Sequence, residues 1–301
     1  MISLAEKNTS TDGSCKFLFQ TEAGQHYEAL YFTFSEDGGL TETPICCLSS
    51  QVGCAIGCVF CATGKLGFKE NLSADDLLAT ADLIKEHLGP DQAPPDIFTF
   101  MGMGEPLLNV DSLIDFYPRA MQRLKVKSLS LSTIVIPKAL IRLADSPAFF
   151  DLFVSLHSPR EDQRQSLIPF FKTHGFAEFF EAIDIYYRRK LLPLGRKIKF
   201  SYLLLGGVND STEDIVDLIK LLKNNLPDDS YRLQLLLYNA VPGDAFGKVA
   251  AYRAREIKNQ LLASGVDAYL SLSRGTDVGG GCGQFAGRKQ NPKASLQECF
   301  G

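Results

Sequence analysis

Three cysteines stand close together early in the chain, in the order Cys54-x-x-x-Cys58-x-x-Cys61. Three thiolates at this spacing can bind three of the four irons of a cubane [4Fe-4S] cluster, since cysteine thiolates are the usual ligands of such clusters. Ferredoxins supply a fourth cysteine for the last iron, and none follows here at ligand spacing. The pattern therefore predicts a [4Fe-4S] centre with one iron open to an exogenous ligand.

A structural zinc site is the alternative for the same three thiolates, completed by Cys47 or by a histidine. Zinc knuckles usually pair two Cys-x-x-Cys hooks, and the chain has one such hook, at 58–61. The spacing therefore favours the iron–sulfur centre.

The composition limits the class of protein. With 301 residues, 45% of them hydrophobic, the chain can bury a large core. It contains no apolar run of about 18 residues and no secretory leader, so we expect a cytoplasmic protein without a membrane partner. Eight cysteines in this setting indicate metal or redox chemistry. The net charge of −4 provides no overall basic field, so we expect no DNA binding, and RNA contact would need local clusters of Lys and Arg.

The hydrophobic pattern predicts strands that alternate with helices. Ser73 is a helix cap followed by two acidic residues, and 96–102 is a nearly continuous apolar run typical of a buried parallel strand. Such an alternation indicates a parallel barrel or partial barrel, with its chemistry at the carboxyl ends of the strands. Beyond the helix after Ser73, the predicted strands are 27–34, 45–50, 96–102, 128–134, 152–157, 197–205, 231–238 and 268–273, and the predicted helices are 110–124, 176–190, 212–225 and 251–264.

We expect three parts along the chain. A short N-terminal extension with strands covers 1–40, a catalytic barrel covers 41–287, and a flexible C-terminal tail covers 288–301.

Several motifs accompany the cysteine loop, and together they resemble the RlmN/Cfr family of radical-SAM RNA methyltransferases. The resemblance is colinear from about residue 28 to residue 287 and implies a radical-SAM partial (β/α)6 TIM-like barrel with a short N-terminal β extension. Members of this family methylate carbon 2 or carbon 8 of an adenine. The matching segments are Tyr-Glu-Ala-Leu-Tyr (27–31), Cys-Leu-Ser-Ser-Gln-Val-Gly-Cys (47–54), Met-Gly-Met-Gly-Glu-Pro-Leu-Leu-Asn (101–109), Leu-Ser-Thr (131–133), Ser-Leu-His (155–157), Val-Asn-Asp (208–210), Tyr-Asn-Ala-Val-Pro-Gly (238–243) and Arg-Gly-Thr-Asp with Cys-Gly-Gln-Phe-Ala-Gly (274–287).

The resemblance implies that S-adenosylmethionine (SAM) binds at the open iron. Gly104 and Glu105 are implied to receive the amino group of its methionine moiety, for which charge-assisted hydrogen bonds are suited. Without the resemblance, this run is a glycine-rich turn ended by proline, and a serine or asparagine at a strand end is a turn former or helix cap. The other implied SAM contacts are Ser132, Ser155, Leu156, His157 and Asn239.

Cys282 lies in a glycine-rich run at 279–283 that has few steric limits. By resemblance, one SAM methylates Cys282, and a radical from a second SAM takes hydrogen from that methyl group, whose carbon then adds to adenine. Cys47 is implied to resolve the adduct, which leaves a Cys47–Cys282 disulfide to be reduced each turnover by a donor such as flavodoxin. Glu28 is implied to be the proton acceptor. The alternatives are a free thiol in a flexible loop for Cys282 and a solvated strand residue for Glu28.

Three departures from the family pattern concern the substrate. The resemblance is to a short form, without the N-terminal helical domain with which family members engage RNA. The segment Ser132-Thr-Ile-Val-Ile-Pro137 is one residue shorter than the family's Ser-Thr-Ser-Gly-Val-Val-Pro, and Pro169-Phe-Phe-Lys-Thr replaces Pro-Ile-Asn followed by basic residues. RNA affinity depends mainly on phosphate neutralisation, although basic residues at a helix end also suit the helix dipole. The candidate basic patches are Arg188, Arg189 and Lys190 with Arg196 and Lys197, and Arg288 and Lys289 with Lys293.

Three hypotheses follow. The first is a radical-SAM methyltransferase that methylates an adenine ring carbon, carbon 2, in ribosomal or transfer RNA through a methyl-cysteine intermediate with two SAM per turnover. The second keeps that chemistry but acts on a nucleotide, small molecule or peptide, and the third is a non-catalytic iron–sulfur or zinc module. Cys15 and Cys46 are expected to be buried or incidental thiols, and Cys299 to have no role.

Overall fold

The computed structural model describes residues 1–40, 42–173, 175–241 and 246–287. The expected C-terminal tail, with the basic patch at Arg288, Lys289 and Lys293 and with Cys299, lies outside these residues. The fold is mixed α/β, built on one ten-stranded sheet and a separate two-stranded hairpin. No helix in the described part of the chain is long and apolar enough to cross a membrane.

The elements follow the chain in the order β1 (Ser3–Thr9), β2 (Cys15–Gln20), β3 (His26–Phe34), β4 (Thr43–Leu48), β5 (Gln51–Gly53), α1 (Ala62–Leu66), β6 (Phe68–Asn71), α2 (Ala74–Glu86), β7 (Ile97–Phe100), α3 (Val110–Leu124), β8 (Ser128–Thr133), α4 (Pro137–Asp145), β9 (Asp151–Ser155), α5 (Glu161–Leu167), α6 (Phe176–Tyr186), β10 (Ile198–Leu204), α7 (Thr212–Asn225), β11 (Tyr231–Leu237), α8 (Ala251–Ala263) and β12 (Ala268–Ser271).

The large sheet has the order β1-β2-β3-β4-β7-β8-β9-β10-β11-β12. Its first four strands pair antiparallel, and all the pairs from β4 to β12 are parallel. The turn after β3 contacts the far end of the sheet, because Arg232 bonds to Glu36 at 2.7 Å and the Leu270 N–H donates to Asp37 at 2.9 Å. The prediction of an α/β fold with a central parallel sheet is confirmed, and these contacts are compatible with a partial barrel.

Most predicted elements are confirmed within one or two residues. Ser73 caps α2 with a full capping box, since its hydroxyl accepts from the Asp76 N–H and the Asp76 carboxylate accepts from the Ser73 N–H. Three helices, α1, α4 and α5, were not predicted. The hydrophobic pattern predicts no element over 135–151, yet Pro137 stands in the first turn of α4, where its missing N–H costs nothing. The helix predicted over 176–190 is α-helical to Tyr186 and continues as one π turn.

The register of the N-terminal strands determines which side chains lie on the inner face of the sheet. Lys16 lies opposite Leu30, and Leu30 lies opposite Cys47, so these three side chains share one face across β2, β3 and β4. Glu28 joins the same face because side chains alternate along a strand with a period of two. Cys46 points the other way and is fully buried, as expected, and Cys15 is buried as well.

Candidate active site

One cavity of about 450 Å³ lies inside the curve of the sheet, and its lining extends from Asp151 and Lys199 near the amino ends of the parallel strands to the loops after their carboxyl ends. Its lining brings together residues from the β5–β6 hairpin, from the loops after β7, β8 and β9, and from the C-terminal segment. Ten of the sequence-predicted site residues line it: Cys47, Cys54, Cys58, Cys61, Gly104, Glu105, Ser132, Ser155, His157 and Cys282.

The three predicted cluster cysteines lie between β5 and β6, and each is half-buried at the cavity wall. Backbone bonds hold this loop from both sides. The Cys54 N–H donates to the Gly67 carbonyl at 3.1 Å, and the Val59 N–H donates to the Leu167 carbonyl at the end of α5 at 3.1 Å. The Ala62 N–H donates to the Gly283 carbonyl at 2.8 Å, which joins the cysteine loop to the segment of Cys282.

The thiols fit an iron–sulfur cluster better than a zinc ion. Burial, and then the charges of Glu105 and Cys61, raises the pKa of Cys54 to about 12. Burial, and then the charges of the neighbouring thiols and of Glu105, raises the pKa of Cys58 well above its ordinary value. A cationic metal centre would relieve this cost, because metal ligation favours the thiolate. Within the described residues, no three Cys, His, Asp or Glu side chains are grouped to hold a single metal ion. A cubane binds its ligands through different irons and does not need such a group, so the zinc alternative loses support.

Glu105 is buried at the cavity wall after β7, and its carboxylate is held by three neutral donors. One oxygen accepts from the Thr133 hydroxyl at 2.6 Å and from the Leu107 N–H at 2.9 Å, and the other accepts from the Ile134 N–H at 3.1 Å. Burial raises the Glu105 pKa to about 7, because its effect exceeds that of the three hydrogen bonds, which lower the pKa. No cation of the described residues faces this carboxylate, which suits it to a cationic ligand.

The turn that carries Glu105 explains much of the motif at 47–54. The Ser49 hydroxyl accepts from the Met103 N–H at 2.7 Å, and the Gln51 side chain accepts from the Glu105 N–H at 2.9 Å. Gly104 has φ +97°, and a side chain there would collide with Gln51 at 2.6 Å. The motif therefore positions the Glu105 turn against the cysteine loop, a role that sequence reasoning missed.

The ends of β8 and β9 supply the next wall of the cavity. The hydroxyls of Ser132 and Ser155 lie 3.2 Å apart. His157 is buried, and its Nδ1 accepts from the Leu203 N–H at 3.0 Å, so this nitrogen carries no proton. Burial, and then the charge of Arg164, lowers the His157 pKa to about 3. The imidazole is therefore neutral at physiological pH and can serve as a polar contact but not as a cation.

Arg164 on α5 is a second contributor that sequence reasoning missed. Its side chain is fully buried, and it donates to the carbonyls of Leu156, Ser155 and Ile134 at 2.9–3.0 Å. Its guanidinium also stacks on Phe171 at 3.8 Å. Burial lowers its pKa to about 9, while the charge of the Cys58 thiolate opposes that change. Arg164 thus fastens the strand ends behind the site.

Leu156 and Asn239 take different places from the other predicted SAM contacts. The Leu156 side chain packs in the hydrophobic core, and only its backbone belongs to the strand-end network. The Asn239 amide donates to the Cys282 carbonyl at 3.3 Å, so it contacts the Cys282 segment.

The shorter segment after β8 carries a local backbone strain. Val135 has φ +68°, a conformation that β-branched residues rarely adopt, and its N–H donates to the Thr133 hydroxyl at 2.9 Å. This is the place where the family pattern has a serine–glycine pair. The Glu105–Thr133 contacts hold the turn in spite of the side chain.

Cys47 and Cys282 both face the cavity as free thiols. Burial, and then the charge of Cys282, raises the Cys47 pKa far above its ordinary value, and burial also raises the Cys282 pKa. Cys282 is accessible because it faces the open cavity. The two glycines before it are close-packed: a side chain at Gly280 would meet Leu30 at 2.6 Å, and one at Gly281 would meet Asn239 at 2.7 Å. The alternative of a flexible loop therefore loses support.

Glu28 is fully buried, so its alternative as a solvated strand residue is wrong. Its carboxylate lies 2.9 Å from the Lys16 ammonium and accepts from the Ala286 N–H at 3.0 Å. Burial raises the Glu28 pKa, and Lys16 and these hydrogen bonds oppose the rise. Lys16 was not singled out in the sequence, since nothing in a strand pattern marks a lysine as buried.

The basic patch at 188–197 lies at the opposite edge of the sheet, before β9 and β10. Arg196 bonds to Asp151 at 2.5 Å and Arg188 to Asp184 at 2.7 Å. Arg189 pairs with Asp145, and Lys190 donates to the Ser146 carbonyl. Lys197 lies 3.7 Å from Asp229 and 3.8 Å from Asp267. Every cation of the patch therefore has a partner within the protein, and Asp151, the partner of Arg196, also lines the cavity.

Comparison with known proteins agrees with this geometry. The radical SAM superfamily matches residues 48–221. The chain is 35% identical to a probable dual-specificity RNA methyltransferase RlmN from Thermus thermophilus, over 96% of this chain and 79% of that protein. It is 32% identical to a dual-specificity RNA methyltransferase RlmN from Halorhodospira halophila, over 97% of this chain and 78% of that protein.

A crystal structure of a radical SAM methyltransferase from Sphaerobacter thermophilus superposes with a TM-score of 0.84 and 30% identity, over 95% of this chain and 82% of that chain. The FeFe-hydrogenase maturase HydG from Carboxydothermus hydrogenoformans shares the fold, with a TM-score of 0.53 and 13% identity. Since both the sequence and the fold match along nearly the whole chain, this protein belongs to the RlmN family of radical SAM methyltransferases.

Proposed function

We propose that this protein methylates carbon 2 of an adenine in ribosomal or transfer RNA, by way of a methyl group carried on Cys282 and with two SAM per turnover. The observation that carries the proposal is the presence of two further thiols, Cys47 and Cys282, in the same cavity as the three cysteines of the loop. Methyl transfer through sulfur needs one nucleophilic thiol, and release needs a second thiol within disulfide reach. The names of the relatives support RNA as the substrate.

Cys54, Cys58 and Cys61 would hold a [4Fe-4S] cluster, and the strand-end wall with Gly104, Glu105, Ser132, Ser155 and His157 would hold SAM. When bound there, the cluster and SAM supply methyl-donor and 5′-deoxyadenosyl radical chemistry. Glu105 would bind the ammonium of the SAM methionine moiety, because its carboxylate is buried with neutral donors alone.

The residues on the opposite wall carry the methyl group. Cys282 would give up its thiol proton to solvent in the open cavity and form a sulfur–carbon bond to the methyl group, while the bond between that methyl group and the sulfur of the first SAM breaks and S-adenosylhomocysteine leaves. After a hydrogen atom is removed from that methyl group, its carbon bonds to the adenine ring carbon and tethers the substrate to Cys282. One electron would leave this adduct for the cluster that Cys54, Cys58 and Cys61 would hold, and Glu28 would accept the proton from the ring carbon. The buried carboxylate, whose pKa is raised by burial, is suited to a proton acceptor.

Cys47 then releases the product. Its sulfur attacks the Cys282 sulfur, so that a disulfide forms while the sulfur–carbon bond breaks, and the freed carbon takes up a proton to become the methyl group. A two-electron reductant, for which a flavodoxin-type donor is expected, returns the disulfide to two thiols. Both thiols have raised pKa values, which keep them protonated between turnovers.

A second candidate keeps the methyl-cysteine chemistry but acts on a nucleotide, small molecule or peptide. It is favoured by the state of the basic patch at 188–197. The cations of this patch already have partners at the far edge of the sheet, so they are less available to neutralise RNA phosphates. The two candidates differ in substrate and share every residue of the cavity.

The test is mass spectrometry of the intact protein, purified anaerobically after expression with its cluster. A mass increase of one methylene unit that maps to Cys282 and disappears in Cys282→Ala supports the methyl-cysteine step. Cys15→Ala is the matched control, because it removes a buried thiol outside the cavity and should keep the modification. An unmodified Cys282 in a protein that cleaves SAM contradicts the proposal.

The substrate is tested with total RNA from cells that lack the gene. Incubation with wild-type protein, SAM and reductant should produce 2-methyladenosine in ribosomal or transfer RNA, and Cys282→Ala should produce none. A methylated Cys282 that transfers nothing to RNA, but does transfer to free nucleotides, would favour the second candidate.

A further inference from the structure

A buried ion pair joins the N-terminal strands to the segment that carries Cys282. The Lys16 ammonium on β2 lies 2.9 Å from the Glu28 carboxylate on β3, and the two side chains are 7% and 1% exposed. Lysine and glutamate are almost never buried to this degree unless they are paired. Replacing such a pair with apolar residues is often neutral for stability, so the pair is weak evidence for a purely structural role.

Each member of the pair also holds one end of the Cys282 segment. Lys16 donates to the Gly279 carbonyl at 3.1 Å, three residues before Cys282. The Ala286 N–H, four residues after Cys282, donates to the Glu28 carboxylate at 3.0 Å. The Lys16 ammonium also lies 5.8 Å from the ring centre of Phe285. The ion pair therefore spans both ends of 279–286.

The strand register places this pair beside the thiol partner of Cys282. Lys16 is opposite Leu30 on β3, and Leu30 is opposite Cys47 on β4. Glu28 is two residues from Leu30 on the same strand, so it shares this inner face. Diagonal neighbours on one face of a sheet are about 7–8 Å apart, within the reach of a long side chain.

We infer that Lys16 is a positioning residue for the methyl-cysteine reaction: it keeps Glu28 in the carboxylate form and, with Glu28, fastens both ends of 279–286 so that Cys282 faces Cys47. The role of Glu28 as a base rests on the proposed function, whereas the fastening of the segment does not. A carboxylate in the interior needs a compensating cation to remain charged. Lys16 is that cation, because it is the charged group among the described residues that faces Glu28.

The surroundings of Glu28 define what a change at Lys16 would do. From β2 it meets Lys16, and from β4 the register places Cys47 on its face. The Ser49 hydroxyl donates to the Glu28 backbone carbonyl, and the C-terminal segment provides the backbone N–H groups at 286 and 287. Without Lys16, only the backbone N–H groups at 286 and 287 would oppose the effect of burial, and the pKa of Glu28 would rise further. A base with a higher pKa is inactive over a wider acidic range, so activity would be lost at low pH and recovered at high pH.

The experiment compares Lys16→Met, Lys16→Arg and the control Lys7→Met in the cluster-loaded full chain. Lys7 is an exposed lysine on the adjacent strand β1, which bonds to the His87 carbonyl. Two quantities are measured: hydrogen exchange of the peptide that covers 279–287, and the pH profile of single-turnover RNA methylation. Lys16→Met should speed exchange of that peptide about tenfold or more and move the acidic limb of the profile to higher pH. Lys16→Arg should restore the limb, since it keeps the cation, and Lys7→Met should change neither quantity.

Three results bear against the inference. If the peptide 279–287 exchanges hydrogen at the wild-type rate in Lys16→Met, Lys16 does not fasten the Cys282 segment. If the acidic limb of the pH profile does not move in Lys16→Met, Lys16 does not set the protonation of Glu28. If Lys16→Met loses methylation rate equally at every pH, and Lys16→Arg does not restore it, the role of Lys16 is limited to side-chain packing. If Lys16→Met does not fold, Lys16→Met/Glu28→Gln leaves no buried charge and should still speed the exchange. If wild-type protein methylates no RNA, the proposed function fails, and the exchange comparison alone decides whether the segment is fastened.

Discussion

Two buried carboxylates, Glu28 and Glu105, lie on different walls of the cavity region, and their negative charges are compensated in different ways. Glu28, on the wall of the N-terminal strands, has a cation of its own in Lys16. Glu105, on the wall of the strand ends, is held within the described residues by neutral donors, from Thr133 and from two backbone N–H groups. Burial raises the pKa of both groups, so the difference lies in what compensates the charge.

This difference in charge compensation indicates different roles for the two carboxylates. A carboxylate with a cation built into the protein is charged before any ligand arrives, and it can hold structure or accept a proton. A carboxylate without such a cation is costly to ionise and becomes fully charged when a cationic ligand supplies the missing partner. On this argument, Glu28 belongs to the methyl-transfer wall and Glu105 to the SAM wall.

The largest expected effect separates the two carboxylates by stability. Lys16→Met leaves Glu28 unpaired in the interior and should lower the free energy of unfolding by about 3–5 kcal/mol. Lys16→Met/Glu28→Gln should recover most of that loss, because no uncompensated charge remains. Urea denaturation of the two variants and of wild type measures the coupling, and equal losses in the single and double variants would contradict the pairing.

The next effect is the pH dependence of stability that Glu105 produces without SAM. Its folded pKa is about 7, against a reference value of 4.5, so its contribution is fully present below pH 4.5 and is lost as the pH rises through 7. Relative to Glu105→Gln, wild-type protein should lose on the order of 3 kcal/mol between pH 4.5 and pH 8. Denaturation curves at several pH values test this, and a constant difference between the two proteins would show that another cation already compensates Glu105.

A smaller effect concerns SAM affinity. Glu105→Gln keeps an acceptor but removes the charge, so SAM should bind about 10- to 100-fold more weakly, as expected for the loss of one charge-assisted hydrogen bond. Isothermal titration calorimetry at pH 7.5 (a condition chosen near the Glu105 pKa) measures the change. Glu28→Gln is the matched control and should leave SAM affinity within about twofold. A comparable loss in both variants would remove the distinction between the walls.

The smallest effect contrasts the buried pair with an exposed pair. Arg189 and Asp145 are paired at the far edge of the sheet, with side chains 50% and 59% exposed. Arg189→Gln should change the free energy of unfolding by less than about 1 kcal/mol and leave RNA methylation unchanged. A marked loss of RNA methylation with normal stability would instead assign this patch to RNA binding.

Sequence patterns were sufficient for the parts of the site that depend on local spacing. The Cys-x-x-x-Cys-x-x-Cys loop, the turn at 102–106 and the alternation of strands and helices are each contained in short stretches of chain. The helices α1, α4 and α5 were missed because they are short, and because the proline that begins α4 was not recognised as a helix start. The π turn after α6 depends on how that helix meets its neighbours, which no local pattern reports.

The sequence by itself determined which residue types were available for the chemistry: three thiols at ligand spacing, two further thiols, and two carboxylates in recognisable motifs. Only the tertiary structure decided that Glu28 is buried against Lys16, that Thr133 and Arg164 hold the strand ends, and that the two glycines before Cys282 are close-packed. The physical reason is that burial and charge compensation depend on contacts between residues far apart in the chain. Lys16 and Gly279 are 263 positions apart, and they meet because the first strands and the last segment close on the same cavity.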